Sequence, residues 1–459
     1  MKETRPFSMK DKIGYTLGDL GCCCTEQFRA MYLAIFYTLV LKVNPVHVGI
    51  LMLITKLWDA INDPLIGALV DSHQNKGKGK FIPWIKFFAF PTAVLCILGF
   101  VNVSNFAYGA RIAYMFITYV VYEIMYTCVS VPFGSLSSVM TDDVNQRTDL
   151  SRFRSLGGTI FMTVIVIAGP LFLYKDNQPV PSHFLIMAAI CAVVGLICLM
   201  FTSHWCKERI ITEPVAKEKE KLNYLDVLKA ISKNKALLGV MLSSFIGIVG
   251  AGMVNGLNTY LFRDYFGNVA IMAVSGMLSV IWSLIAFIGT KFVAKKFGKK
   301  EWIMYSATFS VVVYAILFFF PLENPMLFII INGICYLGVS GFQVLVWALV
   351  NDAIDYQELQ TGKRNEGIVY SAYTFFRKLA NAVSGSMSSF ALAIAGFQVN
   401  EAVQNEAFSG HLWKTYTGLY VVGYLLAVLV LKFIYPLTKE KTAEMLQDLA
   451  DKRNATTAE

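Results

Sequence analysis

Apolar runs of roughly 20 residues, the length that spans a hydrocarbon core, recur along the chain with short polar breaks between them. They predict twelve transmembrane helices, at 13–43, 46–71, 82–104, 108–138, 150–175, 183–203, 236–265, 269–293, 301–320, 325–352, 366–396 and 411–436. The longest charged stretch, 206–235, follows the sixth run and divides the chain six plus six. The pattern reads as an all-α polytopic membrane protein. A six-helix lobe at 1–205 is followed by a linker at 206–235, helical over "KLNYLDVLKAISKN", then by a second six-helix lobe at 236–437 and a tail at 438–459. Backbone inside a bilayer must satisfy its own hydrogen bonds, so a helical bundle is the expected architecture.

The two halves echo each other. "GALVDSHQNKGKGKFIPW" follows the second run and "VAKKFGKKEWI" the eighth; the fourth ends in "SSVMTDD" and the tenth in "VNDAIDY". Internal repeats with a central linker are the mark of two-lobed secondary transporters, which bind substrate near the bilayer midplane.

Composition agrees. Of 459 residues 56% are hydrophobic and 15% charged, with a mean hydropathy of +0.55, whereas soluble domains carry about 25% charged residues. The opening "MKETRPFSMKDKIGY" is polar and basic and lacks the apolar core and small-residue site of a cleaved signal, so the first helix is expected to stay in the membrane. The net charge of +9 follows topology. Lys and Arg gather in "HQNKGKGK", "NQRTDLSRFR", "KERIITEPVAKEKEKLN", "KKFGKK" and "GKR", and are nearly absent from "VNVSNFAYG" and "PLENPM". The positive-inside rule therefore puts both termini and the basic loops in the cytoplasm, in a bacterial inner membrane, and removes nucleic acid from the expected partners. The nine cysteines show neither a disulfide framework nor metal-ligand spacing and read as packing residues.

Charges inside the runs carry the chemistry, because each costs about 2.5–3.5 kcal/mol at a helix centre and implies a use. Asp59 and Asp63 stand at i and i+4, on one face of the second helix. Two carboxylates so placed repel unless a cation or a proton joins them. Glu123, Thr127 and Ser130 share a face of the fourth helix, and Thr127 and Ser130 offer neutral oxygens to the same cation. On the first helix Asp19, Cys22, Cys23 and Glu26 fall on a stripe, with Arg29 beyond Glu26. Two readings stand there: a Glu26–Arg29 packing pair, or the lining of a polar cavity for a hydroxyl-rich or charged ligand. Arg377 and Lys378 lie deep in the eleventh helix, about 100° apart, and Lys378 is the candidate to neutralise the paired aspartates when no cation is bound. Asp71, Asp352, Asp355, Lys363 and Arg364 sit at helix ends and read as cytoplasmic gate and loop ion pairs. No nucleophile–base pair, nucleotide loop or cofactor motif is present, so an enzyme is not expected.

"WDAINDPLIGALVDSHQNKGKGKFIPW", "YTCVSVPFGSL", "WALVNDAIDYQELQTGKRNEG" and "YSAYTFFRK" together resemble, in order and over the whole chain, the glycoside–pentoside–hexuronide:cation symporters, a branch of the major facilitator superfamily. The resemblance implies the major facilitator fold and import of a sugar or glycoside with sodium or protons, the coupling ion replacing any cofactor. It implies that Asp59, Asp63 and Thr127 bind the cation, that Lys378 links sugar and cation sites, and that Lys56 is the basic residue one turn before the acids. Arg154 matches the family's sugar-binding arginine with one residue of slippage. Gln343 and Thr374 join Asp19, Cys23, Glu26, Arg29, Glu123 and Arg377 as expected substrate contacts. The aspartates with which galactoside carriers of the family hold their sugar fall here on Cys23 and Ser130. Fewer acids, with Arg29 and Arg377 near the cavity, favour an anionic sugar, a hexuronide or a sulfonated sugar, as in the glucuronide and sulfoquinovose branch. A neutral pentoside or galactoside carrier, a lysolipid carrier and a non-transporting sensor are the alternatives. A functional monomer in the lipid bilayer is expected.

Overall fold

A computed structural model of the chain describes residues 5–72, 79–210, 234–361, 366–401 and 404–458. The expected linker helix falls almost wholly outside them. The chain divides into two compact units, Met1–Lys217 with Gln398–Ala402 and Glu218–Phe397 with Val403–Glu459.

In the first unit the helices are α1 (Met9–Ile35), α2 (Pro45–Ser72), α3 (Ile82–Leu98), α4 (Tyr108–Met140), α5 (Val144–Leu173) and α6 (Pro181–Trp205). Local sequence sets several of their ends. Ser8 and Asp11 close a capping box on α1, and the Asp143 side chain accepts from the Asn145 and Gln146 amides at the start of α5. Between α5 and α6 the strands β1 (Tyr174–Lys175) and β2 (Gln178–Pro179) form a hairpin. Its turn residues Asp176 and Asn177 both take positive φ, 50° and 62°, which asparagine and aspartate tolerate in tight hairpins.

The second unit contains α7 (Lys235–Tyr260), α8 (Ile271–Phe297), α9 (Lys299–Phe319), α10 (Pro325–Thr361), α11 (Glu366–Ile394), α12 (Glu406–Phe433) and a terminal α13 (Lys439–Ala458). The two units repeat one packing plan. In the first, α1 packs on α5 and α6, α3 on α4 and α6, and α2 on α4; in the second, α7 packs on α11 and α12, α9 on α10 and α12, and α8 on α10. Both first helices end in a five-residue π turn, Phe36–Val40 and Leu261–Tyr265. Each turn is followed by a residue of positive φ, Lys42 at 52° and Gly267 at 67°.

Among the described residues seven helices, α4 to α9 and α12, are long and apolar enough to cross a bilayer. Helices α1, α2 and α11 carry charged residues through their middles instead. Phe87, Phe292, Phe319 and Phe433, each at least 70% exposed, cover outer faces that suit lipid and not water. Inside, Tyr15, Phe133, Leu136, Leu150 and Leu199 fill the first unit; Leu237, Val346, Leu349, Tyr373 and Tyr435 fill the second.

Small residues set the helix spacing, as bilayer packing requires. Gly21 and Gly195 face each other: a Cβ on either would meet the other's carbonyl oxygen, at 2.9 and 3.0 Å. At Gly157 on α5 a Cβ would run into the Thr16 carbonyl oxygen and stand 2.7 Å from the Leu20 amide nitrogen. Both are backbone atoms of α1 that cannot swing aside. Gly157→Val is therefore expected to push α5 off α1 and cost about 1–3 kcal/mol, read as a lower melting temperature in detergent; an unchanged melt excludes this close approach.

Candidate functional site

Two groups of charged residues in the first unit gather the expected site positions. In the first group Lys56 on α2 is the hub. Its Nζ lies 3.1 Å from Asp59 Oδ2, 3.5 Å from Glu123 Oε1 and 3.7 Å from Glu26 Oε1. Asp59 is brought there by the i,i+3 spacing on α2 alone, but Glu26 comes from α1 and Glu123 from α4. One turn further along α2, Asp63 Oδ1 accepts a 3.3 Å hydrogen bond from Thr127 Oγ1. Asp59, Asp63 and Thr127 are thus held in one place, as expected. Asp59 Oδ1 and Glu26 Oε2 are buried without a hydrogen-bond partner among the described residues. Ser130, three residues beyond Thr127, makes no hydrogen bond among the described residues.

The second group joins α1 to α5. Asp19 Oδ1 accepts from Arg154 Nε at 3.0 Å and Asp19 Oδ2 from the Gly158 amide at 2.9 Å. Cys23 Sγ lies 4.0 Å from the same Oδ2. Arg154 also stacks over Phe133, 5.3 Å from its centroid. The polar stripe of α1 therefore serves two sites, Asp19 and Cys23 turning to α5 and Glu26 to the lysine.

The Glu26–Arg29 pair is not formed. Glu26 is drawn to Lys56, while Arg29 turns inward, only 2% exposed. Its Cζ lies 3.6 Å from the Tyr122 ring centroid and 5.2 Å from that of Tyr119. None of its three nitrogens has a hydrogen-bond partner among the described residues. Gly99 makes the space: a Cβ there would stand 2.5 Å from Arg29 Nη1. A guanidinium so enclosed offers no open fork to a ligand carboxylate or sulfonate, which withdraws Arg29 from the expected anion contacts. The stack was not visible in the sequence, because Tyr119 and Tyr122 look like ordinary apolar positions until α4 is laid beside α1.

In the second unit Arg377 lies over Trp347, 5.4 Å from the ring centroid, and Trp347 stacks on Tyr370 at 5.3 Å. Cation–π contact of this kind presents a guanidinium with its edge free. Lys378 is exposed on α11 and has no ion pair among the described residues; Gln343 is exposed on α10. Thr374 donates to the Tyr370 carbonyl at 2.9 Å, a bond back along its own helix. Trp347 is the residue that charge counting passed over. Of the expected gate residues, Asp352 receives both its bonds from Lys299 Nζ, at 2.6 and 2.7 Å. Asp355 is half-buried one turn on, Asp71 stands in the last turn of α2, and Lys363 and Arg364 lie outside the described residues.

A structural network was also missed. Asp11, fully buried, binds Arg5 at 2.8 Å and both its oxygens lie 3.0 Å from Arg209 Nη2. Next to it Glu208 accepts from the amides of Lys80, Phe81 and Ile82 at 2.6–2.8 Å, an anion seated on the N-terminus of α3. In the sequence Asp11 lies in the polar, basic opening segment and Glu208 in a basic loop, and neither position carries a pairing signal.

Comparison with known proteins agrees with this architecture. A Bacillus subtilis (strain 168) protein named "Uncharacterized symporter YjmB" is 32% identical over 97% of this chain and 96% of its own length. A "Putative sulfoquinovose importer" of Salmonella typhimurium is 27% identical over 98% of this chain and 94% of its own. The crystal structure of a D-xylose-proton symporter, 15% identical, matches with a TM-score of 0.62 over 94% of this chain and 98% of the other, a likeness of fold. The family model described as MFS/sugar transport protein covers residues 14–439. The chain, a multi-pass membrane protein and a transporter, not an enzyme, belongs to this MFS/sugar transport protein family.

Proposed function

We propose that the protein is a secondary active transporter that brings a sugar or glycoside into the cell together with a cation. The observation that carries this reading is the intramembrane cluster of Asp59, Asp63 and Thr127 beside Lys56. A site with spare buried carboxylate oxygens suits a hard cation or a proton, and a packing role alone explains neither the spare oxygens nor the cost of the charges. Sodium or a proton would bind at Asp59, Asp63 and Thr127 and discharge the pair. By linkage, sugar would then raise cation affinity by the factor with which the cation raises sugar affinity. Lys378, exposed on α11, is the coupling lysine of this scheme, and the basic loops orient both termini to the cytoplasm.

For the substrate we favour an acidic sugar. Arg377, presented on Trp347, and Lys378 beside it put two cations on one stretch of α11, and a relative is named as a putative sulfoquinovose importer. The neutral-glycoside reading is favoured by Arg29, which is enclosed by Tyr122 and leaves α11 as the anion contact.

The test is a thermal-shift panel on purified protein, comparing glucuronides and sulfoquinovose with neutral galactosides and xylosides, each with and without sodium. A ligand that binds the folded state raises the melting temperature by mass action. Stabilisation by acidic sugars, growing with sodium, is expected. Stabilisation by neutral glycosides alone moves the assignment to the second reading, and stabilisation by neither, in a panel extended to lysolipids, overturns the sugar reading.

A further inference from the structure

We propose that Glu26 and Glu123 are a receiving dock for the Lys56 ammonium: it withdraws onto them when a cation takes Asp59, so the two glutamates set cation affinity and do not bind sugar. The proposal rests on the cation reading of Asp59 and Asp63.

One lysine stands among three carboxylates from three different helices. Asp59 alone would neutralise Lys56, and it is the nearest, at 3.1 Å. The additional carboxylates are costly inside a membrane lobe unless they have a use. Glu123, its side chain 4% exposed, is too enclosed to meet a sugar; what it faces is the ammonium. Lysine carries a compact charge on a flexible four-carbon stem, so Nζ can shift between oxygens that lie 3.1–3.7 Å away while α2 stays in place.

The cation and the ammonium compete for one group. While Nζ sits on Asp59 Oδ2, an incoming cation finds only the unpartnered Oδ1 and a like charge beside it. For the cation to gain both oxygens Lys56 must leave. Were Glu26 and Glu123 neutral, its departure would leave a half-buried charge without a partner inside the lobe, which is unfavourable there. With them in place the ammonium exchanges one set of carboxylates for another. The glutamates are positioning residues, acting on the cation through the lysine.

Opposite signs follow for the variants. Lys56→Met removes the competitor and lowers the sodium concentration needed for half-saturation. Glu123→Gln and Glu26→Gln hold Lys56 on Asp59 and raise it, each by about tenfold or more. If the glutamates act through Lys56, Glu123→Gln loses its effect in the Lys56→Met background, the non-additivity expected of coupled neighbours. The measurement is a sodium titration, repeated as a proton titration in sodium-free buffer, of purified wild type, the three single variants and the Lys56→Met/Glu123→Gln double. Sugar half-saturation at saturating cation is read in parallel. Lys56→Gln replaces Lys56→Met should the latter not fold, and Glu123→Asp is expected to restore part of the cation affinity. Unchanged cation affinity in both glutamine variants overturns the proposal. So does an equal loss with and without Lys56, which makes Glu123 a direct ligand, and so does a loss confined to sugar affinity. The parent reading fails separately: then the wild type shows no cation dependence, or Asp59→Asn keeps it.

Discussion

Asp59→Asn is expected to abolish cation-driven accumulation, leaving sugar to equilibrate down its own gradient. The residue is the one to which both the lysine and the spare coordination point: Oδ2 bonds Lys56 at 3.1 Å, and Oδ1 is buried without a partner among the described residues. Two unit charges about 4 Å apart interact by about 4 kcal/mol at an effective dielectric near 20. Losing the carboxylate should therefore weaken cation binding by about a thousandfold. The amide keeps the shape, so sugar binding and sugar–sugar exchange should survive. Proteoliposomes with an imposed sodium or proton gradient give the uphill component, and exchange with labelled sugar inside and out gives the rest. Retained uphill uptake would remove Asp59 from the cation site, while loss of exchange as well would make it structural.

The second large effect concerns stability. Asp11→Ala is expected to destabilise the first unit by about 3–5 kcal/mol, the usual result of stripping one partner from a buried ion pair. Asp11 is fully buried and serves three groups at once: Arg5, Arg209 and the capping box of α1. Without it Arg209, its side chain 14% exposed, keeps the carbonyls of Arg5, Met140 and Lys207 and its place over the Phe7 ring. The segment after α6 would then lose one of its two charged anchors, keeping Glu208 on the start of α3 and the Arg209 and Ile210 amides on the Val139 carbonyl. Thermal melting in detergent should fall sharply, while the sodium half-saturation of protein still folded at low temperature should not move. An unchanged melt would show that the carbonyls suffice.

These two sites were legible to different degrees, and the reason lies in which distances are local. Asp59 and Asp63 announce themselves because a helix puts i and i+4 on one face and a bilayer makes both expensive. Lys56 enters only through the family resemblance. The partners of Lys56 were named as substrate contacts, not as its ion partners: Glu26 and Glu123 meet the lysine only when α1, α2 and α4 pack together, and no spacing along the chain encodes that. Arg29 shows the opposite failure. Its i,i+3 spacing from Glu26 suggested a pair, but the aromatic face of Tyr122 and the missing side chain of Gly99 gave the guanidinium another place to go.

Helix ends divide in the same way. The starts of α3 and α4 fall where the hydropathy places them, at residues 82 and 108, because the bilayer boundary and the helix start coincide there. Helix α5 begins at Val144, ahead of the apolar run, and α10 continues to Thr361, past it. Hydropathy sees only the part of a helix that lipid covers, whereas caps such as Asp143 decide where the backbone actually begins to coil.

The paired π turns at Phe36–Val40 and Leu261–Tyr265 let the two halves be aligned residue by residue across the turn. Carried into the following helices, that alignment sets Lys56, Asp59 and Asp63 against the stretch Ile281–Ile288, "IWSLIAFI", which has no charged residue. The two halves thus share the backbone here, while Lys56, Asp59 and Asp63 have no ionisable counterpart at the aligned positions. The carboxylates proposed to hold the coupling cation therefore lie in the first half, while Lys378, the proposed coupling lysine, lies in the second. A change of coupling ion can then evolve on one helix of the first half, with the matching helix of the second left unaltered.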